Sequence, residues 1–249
     1  MKVEWDYTEL AEAYLKRPEY AQEAINQMLE TAGLKEAAVI CDVGAGAAHL
    51  TLMLARKGYE IYAVEPNDAM RENGVKRTKA FEKVHWYDGV GEATGMKDKQ
   101  FDLVTFGSSF NVCDRAQALR ESARILKDNG WFACMWNHRN LNDALQQQIE
   151  AVIKANIPDY SYGTRREDQT AVIEQSGLFG DVVRIAGEVT FEIPVQDFID
   201  GWKSHGTLQR QSQALFNKVV KEIGDIVLSV SQDFVQVPYT TNIWMAQKK

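Results

Sequence analysis

The sequence predicts an α/β fold: a doubly wound, seven-stranded, mostly parallel sheet whose last strand runs antiparallel, with helical cap additions. Three observations predict its parallel core. Short apolar runs alternate with helix-period segments from Val39 to Trp136. The runs carry apolar residues on both faces, as strands covered by helices on both sides do. Glycines fall at the joints, at Gly44, Gly46, Gly58 and Gly130.

The elements follow in order. Residues 8–32 read as one or two helices interrupted at Pro18, because proline ends a helix. The strands read as Val39–Val43, Ile61–Val64, Lys83–Trp86, Asp102–Phe106 and Trp131–Trp136. Helices begin near Ala48, Asp68 and Arg115. In the first, Leu50, Met53 and Leu54 share a face; in the last, Leu119, Ala123 and Leu126 do. Gly58 and Gly130 supply helix stops. Beyond this core the rhythm loosens. Asn142–Asn156 and Asp168–Ser176 read as helices, and Val182–Ile193 alternates like a long strand. Leu208–Val230 reads as one long helix with the stripe Leu208, Leu215, Phe216, Val219, Val220, Ile223, Val227 and Val230. A final strand carries a break at Pro238. No linker rich in Gly, Ser or Pro divides the chain. The expectation is one domain over 1–249: a helical cap (1–38), a ligand-binding core (39–140), and the remaining sheet with substrate-side insertions (141–249).

Composition is that of a globular protein, with 45% hydrophobic and 25% charged residues among 249. The net charge of −7 repels a phosphate backbone, so nucleic acid is not the expected partner. The basic run Lys76, Arg77, Lys79 reads as a solvated helix face. Cys41, Cys113 and Cys134 lie in or beside strands with no metal-site spacing, which predicts free thiols, no metal and a reducing compartment. The polar N-terminus is not a signal peptide, and no apolar run of about 18 residues occurs. A cytoplasmic protein with no membrane partner, monomeric or homodimeric, is expected.

In a doubly wound sheet, ligands sit at the carboxyl ends of the strands. The first strand–helix turn, Asp42-Val43-Gly44-Ala45-Gly46-Ala47-Ala48, is therefore the candidate binding loop, and Glu65 at the end of the next strand can accept hydrogen bonds from ribose hydroxyls. A dinucleotide fingerprint requires glycine at position 49. His49 stands there, so no pyrophosphate is expected on this helix. Asp42 beside the turn repels phosphate and attracts a cation. A cationic adenosine cofactor, S-adenosylmethionine, fits better than NAD.

The stretch "VICDVGAGAAHLTLMLARKGYEIYAVEPNDAM" resembles the first two motifs of class I S-adenosylmethionine-dependent methyltransferases. "EATGMKDKQFDLVTFGSSF" is similar to the family's approach to the fourth strand. "ESARILKDNGWFACMWN" resembles its helix–turn–strand, with Asp128 and Asn129 in place of Pro-Gly. The likeness covers Tyr14 to about Asn140. "YLKRPEY" and "MWNHRN" resemble the trans-aconitate methyltransferase-like branch, which methylates small molecules. The resemblance implies a Rossmann-like fold and a cofactor site position by position. Gly44, Ala45 and Gly46 would contact the methionine part, with Asp42 nearby. Glu65 would bind the ribose, and Pro66 and Asn67 would border the adenine. Gly91, Glu92 and Ala93 would flank its other face, and Gly107 and Ser108 would lie near the methyl group. Tyr14 and Arg17 would close over the site, Arg17 pairing with the cofactor carboxylate. Many relatives carry His-Trp after the fourth strand; this chain has Asn111-Val112, so the acid–base role of that histidine does not carry over.

The expected chemistry is methyl transfer to O or N of a small-molecule acceptor. The catalytic candidates are His138, Asn111 and His205, because they fall near the carboxyl edge or in the insertion. His49 reads as packed or solvent-facing, and His85 as structural. Substrate candidates are Phe110, Asn111, His138, Arg165, Arg166 and Trp202. The arginines suit an anionic acceptor. Trp5, Tyr7, Tyr160 and Tyr162 are further candidates for pocket walls. "GSSF" is not the Asn/Asp-Pro-Pro-aromatic pattern that goes with methylation of adenine or glutamine nitrogen. The insertion over about Val195–Val230 would cover the substrate side or offer its stripe as a dimer face. An NAD-dependent oxidoreductase and a non-catalytic binding protein are the alternatives.

Overall fold

The computed structural model describes residues 8–249; Trp5 and Tyr7 lie outside them. Seven strands, β1 (Val39–Val43), β2 (Glu60–Val64), β3 (Val84–Tyr87), β4 (Phe101–Gly107), β5 (Leu126–Arg139), β6 (Val183–Pro194) and β7 (Phe234–Gln247), form one sheet in the order β3-β2-β1-β4-β5-β7-β6. The first five in sequence pair in parallel, and β7 runs antiparallel to both β5 and β6. Strand order reverses between β1 and β4, so the crevice for a ligand opens there.

The helices are α1 (Ala11–Tyr14), α2 (Gln22–Thr31), α3 (His49–Ala55), α4 (Asp68–Thr78), α5 (Arg115–Ile125), α6 (Ala144–Asn156), α7 (Thr170–Gln175), α8 (Val195–Lys203), α9 (Gly206–Ser212) and α10 (Phe216–Val230). Helix starts follow capping chemistry. Asn67, Asp114 and Asp143 each accept hydrogen bonds from first-turn amides of α4, α5 and α6. The central strands bury both faces, as the apolar runs predict. One face packs Phe106, Phe110, Phe132 and Leu119. The other packs Leu50, Met53 and Leu54 of α3 with Ile25 and Met28 of α2. A third cluster lies under the C-terminal additions, where Val219, Val220, Ile223 and Val227 of α10 meet Ile149, Ile153, Phe198 and Trp202. Burying each such side chain stabilises the fold by roughly 1.5–3 kcal/mol.

Five expectations change. The long helix over Leu208–Val230 breaks at Gln213, whose φ is +47°, and a 3-10 turn, Gln213–Leu215, separates α9 from α10. The break lets Leu208 and α10 bury in one cluster, while Leu215 and Val230 are exposed. The stripe is thus largely consumed inside this chain. The break at Pro238 is absent: Pro238 pairs with Thr190 inside β7. Its carbonyl accepts from Asn140 N (2.9 Å), one step beyond the last β5–β7 pair, Arg139 with Tyr239. The missing N–H therefore faces the side where the β5 ladder has ended. After α5 the left-handed position is Asn129 (φ +63°), not Gly130; asparagine tolerates it. Leu126 belongs to β5 rather than α5 but packs with Leu119 and Ala123 as expected. Arg77 turns inward and donates to the Ala47 carbonyl, while Lys76 and Lys79 face solvent.

Candidate functional site

At the carboxyl ends of β1, β2 and β4 a cleft opens, and beyond it a cavity reaches beneath α8 and α9. The two adjoin across Tyr14, Gly44, Gly46, Gly107, Ser108 and Asn111, which line both.

The cleft is built by the β1–α3 turn. Gly44 and Gly46 have φ of +65° and +55°, and Ala48 also sits in the left-handed region at +70°. A Cβ on Gly44 would fall 2.8 Å from Ser109 Oγ, and one on Gly46 3.1 Å from Met70 Cε. Side chains at either place would be strained and crowded. Ser109 Oγ donates to Val43 O (2.6 Å) and closes the underside of the turn. Glu65 is 8% exposed; its Oε2 accepts from Gly46 N and its Oε1 from Asn67 N, both at 2.9 Å. Each oxygen keeps a lone pair for another donor. Burial raises the Glu65 pKa, opposed by those two amides. Pro66, Asn67, Gly91 and Glu92 line the same cleft. Glu92 Oε1 also accepts from Asp114 N (2.6 Å), tying the cleft wall to the start of α5. A Cβ on Gly91 would fall 2.6 Å from Cys113 Sγ. Ala93 is exposed and does not line the cleft, because it pairs with Val90 in a tight turn.

Asp42 is fully buried, with Oδ2 accepting from the Thr51 hydroxyl (2.6 Å) and Oδ1 from Thr105 (2.9 Å). It braces α3 against β1 and β4 at the cavity's inner edge. Desolvation lifts its pKa to about 6, against the pull of the threonines. Ala45 lines the cavity beside it. Ser108, at φ +61°, shares a hydrogen bond with the Tyr20 hydroxyl (3.0 Å).

The cavity contrasts with the cleft. Arg17, Arg139 and Arg165 line it, along with Trp202 and His205. Arg17 donates to Ser204 Oγ (3.0 Å) and Ser204 O (2.8 Å), fastening the N-terminal segment to the α8–α9 joint. It lies 4.1 Å from the Tyr14 ring centroid. Arg139 lies 3.6 Å from the Trp202 ring centroid, and His205 stacks on that ring at 5.2 Å. His205 Nδ1 accepts from Leu208 N (3.2 Å) and caps α9. A neutral imidazole whose Nδ1 accepts carries its proton on Nε2. Burial, then Arg165, Arg139 and Arg17, hold His205 well below the usual histidine range. His205 is therefore a donor at neutral pH.

Several expected residues are elsewhere. His138 reaches neither space. Its Nε2 donates to Arg165 O (2.8 Å) and its Nδ1 faces Asn242 Nδ2 (3.2 Å), so the ring pins the Arg165 segment to the sheet. Burial, then the nearby Arg166 charge, lowers its pKa to about 4. Phe110 is fully buried against Phe106 and Phe132. Arg166 donates to Arg139 O (3.2 Å) and covers the Tyr162 ring, outside the cavity. Asn111 lines both spaces, and its Oδ1 accepts from Trp136 Nε1 (2.8 Å). Tyr160 and Tyr162 stack edge-on behind the arginines rather than lining the cavity. His49 is buried at the edge of the cavity, which it helps to line, with its pKa lowered to about 3 by burial, then Arg77.

Arg139 is the residue the sequence reading missed. Alternation along β5 was the available signal: Asn137 and Arg139 line the cavity while His138, between them, does not. Arg210 of α9, which lines the cleft, is a second residue that reading missed.

Residues 41–134 match the family model described as a methyltransferase domain. A Schizosaccharomyces pombe methyltransferase of uncharacterised function is 31% identical over 134 residues, 53% of this chain and 52% of that protein. The ubiquinone/menaquinone biosynthesis C-methyltransferase of Zymomonas mobilis is 33% identical over 164 residues, 60% of this chain and 66% of that protein. The chain spans about half the length of the first curated relatives it matches. Among solved structures, the YcgJ protein of Bacillus subtilis superposes with a TM-score of 0.58 at 18% identity, covering 91% of this chain and 98% of that one. Residues 41–134 thus carry a methyltransferase domain, and the chain around them has the fold of that solved structure.

Proposed function

We propose that the protein transfers the methyl group of S-adenosylmethionine to O or N of a small-molecule acceptor. The observation that carries this reading is the adjacency of the two spaces. A cleft bearing a lone-pair-rich Glu65 lies against a cavity lined by donors, the two sharing the Gly44–Gly46 turn and Gly107–Ser108 as a wall.

The residues fit the cofactor. Glu65, already oriented by two amides, receives the ribose hydroxyls on its remaining lone pairs. Pro66 and Asn67 border the adenine on one side, Gly91 and Glu92 on the other. The positive φ at Gly44 and Gly46 brings bare backbone to the methionine part. Arg17, held by Ser204, faces its carboxylate, and Tyr14 closes the joint. The bound cofactor supplies an electrophilic methyl group, and the chain aligns the acceptor with it. Alignment of that kind lowers barriers by roughly 7–11 kcal/mol in favourable cases. Asn111 and Ser108, at the junction of the spaces, orient the acceptor.

Neither of the histidines expected in catalysis, His138 and His205, is placed as a general base. The lone pair of His205 Nδ1 is used by α9, and both ring nitrogens of His138 are engaged. This supports an acceptor that is nucleophilic without losing a proton. The free thiols Cys41, Cys113 and Cys134 support a reducing, cytoplasmic setting. Calorimetry with S-adenosylhomocysteine and NADH tests the reading. One site for the first and none for the second is expected; absence of S-adenosylhomocysteine binding overturns it.

A further inference from the structure

We infer that the acceptor is anionic, and that its carboxylate or phosphate group is held by Arg139, Arg165, His205 and Trp202. This rests on the reading of the cleft as the cofactor site, and it adds the substrate class that site serves.

Three features of the cavity carry it. The first is an excess of positive charge without carboxylate partners. Among the described residues, Arg17, Arg139 and Arg165 form no ion pair, although the chain as a whole carries −7. The acidic residues on the cavity wall are engaged elsewhere. Asp197 pairs with Lys16 (2.8 Å), and both oxygens of Asp42 are taken by threonines. Guanidinium groups gathered in a partly desolvated space repel one another. Burial, then the neighbouring Arg17 and Arg139 charges, lower the Arg165 pKa. An anion between them relieves that repulsion and supplies the planar partner that guanidinium recognises.

The second feature is a meeting of donors. Arg165 Nη1 stands 3.4 Å from His205 Nε2. Because His205 Nδ1 accepts the α9 amide, Nε2 bears a hydrogen, and Arg165 has no lone pair to receive it. Two N–H groups therefore face one space with nothing between them to accept. The third is a set of unmet donors. Arg165 Nε and Trp202 Nε1 are buried without a hydrogen-bond partner among the described residues. Buried donors are rarely left so unless a ligand or water completes them. All four side chains line one cavity, which adjoins the cleft. A cationic acceptor would find no free carboxylate there among the described residues.

Titration of inorganic phosphate and of succinate into the purified protein, each with and without S-adenosylhomocysteine, tests the assignment. Wild-type protein should bind at least one of the two anions, and ethanolamine, a cation, should not compete. Arg165→Gln and Arg139→Gln should each weaken anion binding tenfold or more, with melting temperature and S-adenosylhomocysteine affinity retained. Arg184→Gln, altering an exposed pair with Asp168, should bind as wild type does. Preference for succinate identifies a carboxylate-bearing acceptor, and preference for phosphate a phosphorylated one. Absence of binding by both anions, or equal binding by wild type and Arg165→Gln, overturns the inference. Failure of S-adenosylhomocysteine to bind overturns the cofactor reading instead and leaves the anion titration readable.

Discussion

The cleft and the cavity meet at six shared residues, yet they are built from opposite materials. The cleft is a product of one short stretch of chain: strained backbone at Gly44, Gly46 and Ala48, and a carboxylate at Glu65 held by two amides. The cavity is a product of distant pieces: Arg17 from the N-terminal segment, Arg139 from the end of β5, Arg165 from a loop, Trp202 and His205 from the α8–α9 joint. One side presents acceptors and the other donors. The difference teaches that the donor half of the reaction is fixed by local geometry, while the acceptor half is set by whichever additions fold over it.

Substitutions of glycine separate the two most sharply. Gly44→Ala forces a side chain into the left-handed region and against Ser109, so a loss of about 3 kcal/mol is expected. Gly201→Ala on α8, where a Cβ meets nothing within 4 Å, should be neutral or stabilise by about 0.5–1 kcal/mol. Denaturant unfolding of both variants checks this. Equal losses would break the contrast between a backbone-built cleft and a side-chain-built cavity.

Two groups beside these spaces, His138 behind the cavity arginines and Asp42 under the β1–α3 turn, respond oppositely to acid. His138 is lowered to about 4 from 6.5, so its contribution to stability is present above pH 6.5 and is lost as pH falls toward 4. Asp42 is raised to about 6 from 3.8, so its contribution is present below 3.8 and is lost as pH rises through 6. Each gap corresponds to at most about 3 kcal/mol. His138→Gln should therefore flatten the acid loss of stability, and Asp42→Asn should steepen it. Melting curves from pH 4 to 7 measure both; slopes that shift in the same direction would contradict the assignment.

Within the cleft, Glu65→Ala removes a charged acceptor for the ribose hydroxyls and should weaken S-adenosylhomocysteine about 100-fold. Phosphate and succinate binding should be untouched. At the small end, Ala93→Ser should leave S-adenosylhomocysteine affinity within about twofold, because Ala93 lies outside the cleft.

The same contrast explains what the sequence made legible. The sheet, the β1–α3 turn and Glu65 depend on residues near in sequence, and local periodicity and turn chemistry reveal them. His138 and Arg139 are adjacent, and only strand parity assigns the cavity to Arg139. Phe110 read as a pocket wall because it follows β4, but Phe106 and Phe132 draw it into the core. The long C-terminal helix read as continuous because nothing local marks Gln213; tertiary packing of Leu208 and α10 imposes the turn there. Arg17, Arg165, Trp202 and His205 read singly as candidates, but their meeting did not, since Arg17 and His205 stand about three-quarters of the chain apart.

The most direct test of the account is calorimetric titration of S-adenosylhomocysteine into wild-type and Glu65→Ala protein, with NADH as the competitor. One site on the wild type, a loss of about 100-fold in the variant and no displacement by NADH are expected. Equal affinity in both proteins, or displacement by NADH, would contradict it.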